Sequence, residues 1–199
     1  MQVQKQDNQA LAIFKQPLIV ALRSGNRQEV NKALEPFKDG AGYNYANILS
    51  IPIRLPKMAE NGYNETLAIL VVAITKAMAS MNLNRPMNAD QIVELAETII
   101  DSSNEDFLAL EDVVLFLQGL VRGKYGQLYE SMDIPKFMEK FEVYRLARHQ
   151  AYYNIQDEKH AQHKAQGDSN RWCTQESQSE KDANRSALAD YLRETYKDK

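Results

Sequence analysis

Three kinds of side-chain grouping in this chain could do chemistry. His160 and His163 lie one helical turn apart beside Asp157 and Glu158, a spacing from which two imidazoles can reach one metal ion. No cysteine stands near them in sequence, and a solvated polar helix accounts for the pair. Cys173, the single cysteine, follows Trp172 in a polar stretch. A thiol nucleophile needs an oriented base and nearby positive charge, and nothing there supplies either. The carboxylate pairs Glu94 with Glu97, Glu105 with Asp106, and Glu111 with Asp112 read as surface acidity, because none stands beside a histidine or a phosphate-binding loop. Gly123-Lys124-Tyr125-Gly126 lacks the spaced first glycine, the Lys-Ser/Thr pair and the preceding strand of a P-loop. No catalytic residue, metal or cofactor is therefore expected, and the function expected is non-enzymatic.

Tyr144, Arg145 and Arg148 are the more informative group. Tyr144 and Arg148 are four apart and share a helix face that is otherwise apolar. Either Arg148 closes that face, lying over a ring or pairing with an acid of a neighbouring helix, or it meets an acidic partner or a nucleic-acid backbone. Gly123-Lys124-Tyr125-Gly126 reads as a corner between helices, or else Arg122 and Lys124 there form an exposed basic contact point. With Glu111, Asp112 and Tyr125 these residues make up the expected partner-binding set.

The elements that must position them are helical. Asn104 to Arg148 reads as two amphipathic helices meeting at a glycine corner, about 108–122 and 133–160. Val113, Val114, Leu117, Leu120 and Val121 fall three and four apart, so one side of the first helix is expected to be buried. Gly123 and Gly126 supply the positive φ that a reversal needs, and Asp133 caps the second helix, with Pro135 tolerated in its first turn. Upstream, Asn26 with Glu29 and Asn88 with Gln91 are capping-box patterns. Pro17 bends or splits an apolar segment over 10–22. The helix over 65–81, capped by Asn64, is apolar nearly all round and suggests contact on several sides. Residues 38–56 read as a long connector with one short helical turn, and Ser102-Ser103-Asn104 as a break. The architecture expected is all-α: a single helical domain over 1–165 (a variable part over 1–60 and a core over 61–150), a flexible linker over 166–183, and a tail helix over 184–197 carrying Leu188, Tyr191, Leu192 and Tyr196.

Composition agrees with one globular domain: 44% apolar and 26% charged residues. The one long apolar run, 67–81, is too short and interrupted to span a bilayer. The opening MQVQKQDNQ lacks the basic-then-apolar order of a secretory signal, so cytoplasmic residence is expected. Charge is uneven. Residues 1–85 carry ten Lys or Arg against six Asp or Glu, 86–133 two against ten, and 134–199 twelve against eleven. No region is basic enough to argue for duplex DNA binding by phosphate neutralisation alone. The acidic middle suits a basic protein surface.

The run MNADQIVELAETII, then LEDVVLFLQGLVRGKYGQLYESMD, then a helix ending Tyr144-x-x-x-Arg148, resembles a family of small helical proteins from phages and conjugative elements of Bacteroides-type bacteria. The likeness covers about residues 86–150 and falls on Leu110, Glu111, Asp112, Gly123, Tyr125, Gly126, Tyr129, Asp133, Tyr144 and Arg148. Ala109 departs from it, standing where a capping Ser or Thr is natural, at about 1 kcal/mol. The layout is also similar to phage helicase-loader domains. The resemblance implies an adaptor working through protein contacts, with a DNA-replication accessory role. A structural virion or cargo protein that assembles through its helices, as a homo-oligomer, is the alternative. The partner is then a replication or virion protein, and nucleic acid is a weaker candidate.

Overall fold

Asn88 opens the helix over Ala89–Asp106 as its sequence predicts. Its side chain accepts the Gln91 N–H, and the Gln91 side chain accepts the Asn88 N–H in return. Two amide hydrogens that the helix itself leaves unpaired are satisfied this way. The same logic recurs along the chain. Asn26 accepts from Gln28 and Glu29, Asn44 accepts from Asn47, and Asp133 accepts from Lys136 at 2.9 Å.

The structure, a computed structural model, describes residues 12–40, 42–81, 83–126 and 131–173, with side chains placed as far as residue 164. Among the described residues the helices are α1 (Pro17–Ser24), α2 (Arg27–Leu34), α3 (Tyr45–Leu49), α4 (Leu55–Asn61), α5 (Tyr63–Ser80), α6 (Ala89–Asp106), α7 (Leu110–Val121) and α8 (Ile134–Cys173). A two-residue antiparallel hairpin pairs Lys38–Asp39 (β1) with Gly42–Tyr43 (β2). The fold is all-α, and the expected helical hairpin is present as α7 and α8. Pro17 sits in the first turn of α1, where its missing N–H costs nothing. Gly123 and Gly126 take φ of 74° and 91° at the corner.

The chain divides into residues 1–153 and 154–199. In the second unit the described part is the continuation of α8 to Cys173, with the side chains of 157–164 exposed. The helix thus runs through Gly167, where a linker is expected from residue 166. Lys159, Ala161, Gln162 and Lys164 are good helix formers, and such a run needs no apolar face to stay helical. The tail helix over 184–197, most of the linker, Tyr129 and residues 1–11 lie outside the described residues.

Within the first unit, α7 buries nearly its whole circumference rather than one side: Leu110 through Leu117, Gly119 and Leu120 are all buried. The apolar α5 meets α1, α4, α6 and α7, contact on several sides as expected, while leaving Val72 38% exposed. Acidic residues in the first turn of α7 mimic a solvent face in sequence, but side chains from elsewhere in the fold cover them. The segment 38–56 is also more ordered than a connector: it holds the hairpin, α3 and the start of α4. Arg54 fixes it by donating to the Ile48 and Leu49 carbonyls at the end of α3. Ser102 to Asn104 do not break α6, for Ser103 is buried and its hydroxyl returns a bond to the Ile100 carbonyl.

Candidate functional site

Phe107 ends α6 in the left-handed conformation, with φ 51° and ψ 48°. The sharp turn brings Asp106, Ala109 and Asp112 onto one side, facing α8. There Asp112 is buried. Its Oδ1 accepts both the Tyr144 hydroxyl at 2.7 Å and Arg148 Nε at 2.9 Å, and its Oδ2 accepts the Ala109 N–H at 2.8 Å. The last bond is the half of a capping box that the N3 side chain supplies; a side-chain acceptor for the Asp112 N–H is the half that a serine at position 109 would add. Arg148 spends its other nitrogens on the Asp106 and Phe107 carbonyls. Arg145 pairs with Asp106, Glu105 and Glu142, and His149 Nε2 lies 3.0 Å from Asp106.

Electrostatics follow the packing. Burial pushes the Asp112 carboxyl above its ordinary range against the Arg148 charge and the Ala109 and Tyr144 donors. Burial raises Glu111 too, with Asp112 adding to it and Arg54 opposing. Burial would also raise Asp106, but its bonds to Arg145 and the nearby charges of Arg145 and His149 outweigh that and hold it low. Burial drives the Tyr144 hydroxyl well above its usual value, and it pushes Tyr45 up to about 12.

Glu111, Asp112, Tyr144, Arg145 and Arg148 are thus all buried, and they close on residues of the same chain. That corrects the expectation of an outward partner-binding set. Of the two readings of Arg148, the internal pairing is the one observed. A carboxylate and a guanidinium removed from water are stable only when their bonding capacity is met, and here the chain meets it.

The other expected residues lie elsewhere. Arg122 and Lys124 are exposed at the end of α7, and Tyr125 is half-buried. The Tyr125 hydroxyl is 2.9 Å from that of Tyr43, which also contacts the Leu115 carbonyl at 3.2 Å. Lys124 Nζ rests 3.5 Å above the Tyr43 ring centre, a cation–π seat. The two tyrosines can pass the helix because position 119 is glycine. A Cβ there would run into the Tyr43 hydroxyl and lie 2.9 Å from Tyr125 Cε2.

Two hollows flank this end of α7. The larger, about 370 Å³, opens between α1, α2, α5 and α7. Its floor is aliphatic (Leu22, Val30, Ala77, Leu117), and Arg27, Lys76 and Arg122 stand around it. The smaller, about 210 Å³, is lined by Lys38, Arg122 and Lys124 together with Tyr43, Gln118 and Gly119. Gln118 and Arg122 belong to both. Among the described residues, none of Arg27, Lys38, Arg122 and Lys124 makes an ion pair. Gln118 donates to Asn31 Oδ1, while its own Oε1 is buried with no donor among the described residues.

Lys38, Arg27, Gln118 and Gly119 were not among the expected site residues. A glycine inside the apolar run VVLFLQGLV is the one local signal that a bulky neighbour approaches there. Among the described residues no group of three or more His, Cys, Asp or Glu could hold a metal ion. His160 and His163 are exposed. No helix among the described residues is long and apolar enough to cross a membrane. Comparison with protein-family models, curated proteins and solved structures finds no match to this chain.

Proposed function

We propose that the protein is a non-enzymatic adaptor acting through protein contacts. Its binding face is the larger cleft, and its partner is an acidic amphipathic segment of another protein. The observation that carries this reading is the cleft itself: an aliphatic floor ringed by cations that no carboxylate of the described chain neutralises. Apolar side chains of a docked helix bury on such a floor while flanking carboxylates meet the rim. The lining contains no aromatic ring, so nucleobases would find no stacking platform. Within this reading, the resemblance of residues 86–150 to proteins of phages and mobile elements makes replication proteins, helicase included, the partners to test first.

The test is fluorescence anisotropy with a synthetic helical peptide carrying leucines on one face and glutamates on the flanks, beside the same peptide with lysines for glutamates. The acidic peptide binds and the basic one does not, and Arg27→Glu weakens binding about tenfold, the size of one charge-assisted contact. Equal binding of both peptides, or of neither, overturns the proposal. Failure to recover any replication protein with the tagged chain from a host lysate removes the replication assignment alone.

A second reading, assembly as a structural component, is favoured by one observation. Val143, Leu146 and Tyr153 stand exposed on the face of α8 opposite Tyr144, three and seven residues apart, as positions of a heptad seam are. Light scattering that finds a monomer at high concentration rejects it.

A further inference from the structure

The smaller hollow carries an inference that does not depend on the adaptor reading. Three cations from two separate stretches of the chain, Lys38 of β1 and Arg122 and Lys124 of the corner after α7, line one space of about 210 Å³ that no carboxylate lines. Like charges gathered in a partly dry site repel one another. Burial and the Arg122 charge depress Lys38 against the opposing pull of Glu35, and burial depresses Lys124. The fold holds them there even so. The Lys38–Tyr43 pairing of the hairpin and the seat of Lys124 over the Tyr43 ring fix two of the three, and the glycine at 119 lets Tyr43 reach its place beside α7. An arrangement that is unfavourable when empty becomes favourable when a compact anion enters.

We infer that this hollow is an oxyanion site for a phosphate group. Two ammonium groups and a guanidinium fork match a small, doubly charged, tetrahedral anion better than a flat, singly charged carboxylate. Gln118 also lines the hollow, but its Oε1 is enclosed by the protein and has no donor among the described residues, so the three cations carry the recognition.

The test is a two-dimensional amide NMR titration of the full chain at neutral pH and constant ionic strength. Separate titrations use inorganic phosphate, sulfate, acetate and O-phosphoserine. Phosphate gives saturable shifts at the Gly40, Gly42 and Gly119 amides, sulfate of the same shape and charge follows it, and acetate binds about tenfold or more weakly, the worth of one hydrogen bond to a charged group. Lys38→Gln and Lys124→Gln each weaken phosphate by a similar factor. Arg27→Gln, in the neighbouring cleft, leaves phosphate binding unchanged, so failure here and failure of peptide binding are read from different residues. Stronger binding of O-phosphoserine than of inorganic phosphate assigns the site to a phosphate monoester, and the reverse order assigns it to the free ion. Equal, unsaturable shifts with all four salts overturn the inference, as does an Arg27→Gln effect as large as that of Lys38→Gln.

Discussion

Asp112 Oδ1 accepts the Arg148 Nε hydrogen at 2.9 Å although 36 positions separate the two residues. Both side chains are buried, and each is committed to further partners in the same region. The pair therefore fixes how α8 lies against the corner between α6 and α7, and little else could substitute for it.

Arg148→Met leaves the Asp112 carboxylate without its cation and strips donors from two carbonyls. The expected loss is about 3–5 kcal/mol, the range for breaking a buried pair from one side. Asp112→Asn combined with Arg148→Met removes both charges while keeping an acceptor for Ala109. The double variant is expected to be more stable than Arg148→Met alone. Urea unfolding followed by circular dichroism measures both.

Glu111 and Asp106 give opposite pH dependences. Because burial raises Glu111, the unfolded chain loses this proton first. Stability then falls as pH rises from the ordinary glutamate value, about 4.3, through the folded value, and the deficit persists at neutral pH. Glu111→Gln is expected to raise the melting temperature at pH 7 and to leave it unchanged below about pH 4. Asp106 is held low, so its contribution is present above about pH 3.9 and is lost as pH falls through the folded value. Arg145→Gln should flatten that acid limb. Melting curves between pH 2 and 8 separate the two, and a Glu111→Gln gain that survived at low pH would show that the carboxylate charge is not its cause.

Gly119→Ala tests the packing of the two tyrosines. Helix propensity alone favours the alanine by about 1 kcal/mol, but the new methyl meets the Tyr43 hydroxyl and the Tyr125 ring. Overpacking is expected to win, with a net loss of about 1–3 kcal/mol. Tyr43→Phe in the same chain removes the atom in the way. The combined loss should be smaller than the sum of the two single losses.

Phe107→Gly is expected to stabilise the chain by about 1 kcal/mol. A left-handed backbone costs an ordinary residue about that much and costs glycine nothing. The Phe107 ring is 65% exposed, so its removal forfeits little burial. Thermal unfolding measures the gain, and a loss instead would mean that the ring makes contacts that matter.

What the sequence makes legible is what local chemistry decides. Asn88 and Gln91, Asp133 and Lys136, and the two corner glycines act within four residues of themselves, so their roles can be read from spacing. Asp106, Asp112 and Glu111 cannot be read that way. Their types suit a solvated first turn or a helix end, and only distant partners, Arg145, Arg148 and Arg54, turn them inward. The hairpin was hidden for a similar reason, although the one short helical turn expected in that segment is α3. Tyr43 and Arg54 settle that segment through contacts to Leu115 and to the end of α3, which no period along 38–56 announces. The basic hollow is the extreme case: Arg122 and Lys124 read as a contact point, but Lys38 lies far from them in the chain and no neighbour in sequence marks it.

The turn at 106–109 has one more consequence. The Leu108 carbonyl accepts the Leu55 N–H at 2.7 Å, the carbonyls on either side of Phe107 Cα are held by Arg148, and Asp112 holds the Ala109 amide. A digestive protease with a taste for aromatics sees an accessible phenylalanine there, yet it needs slack backbone to draw into its groove, and this backbone has none to give. Chymotrypsin should leave the folded chain uncut at Phe107, and nicking there should follow once Arg148 is removed.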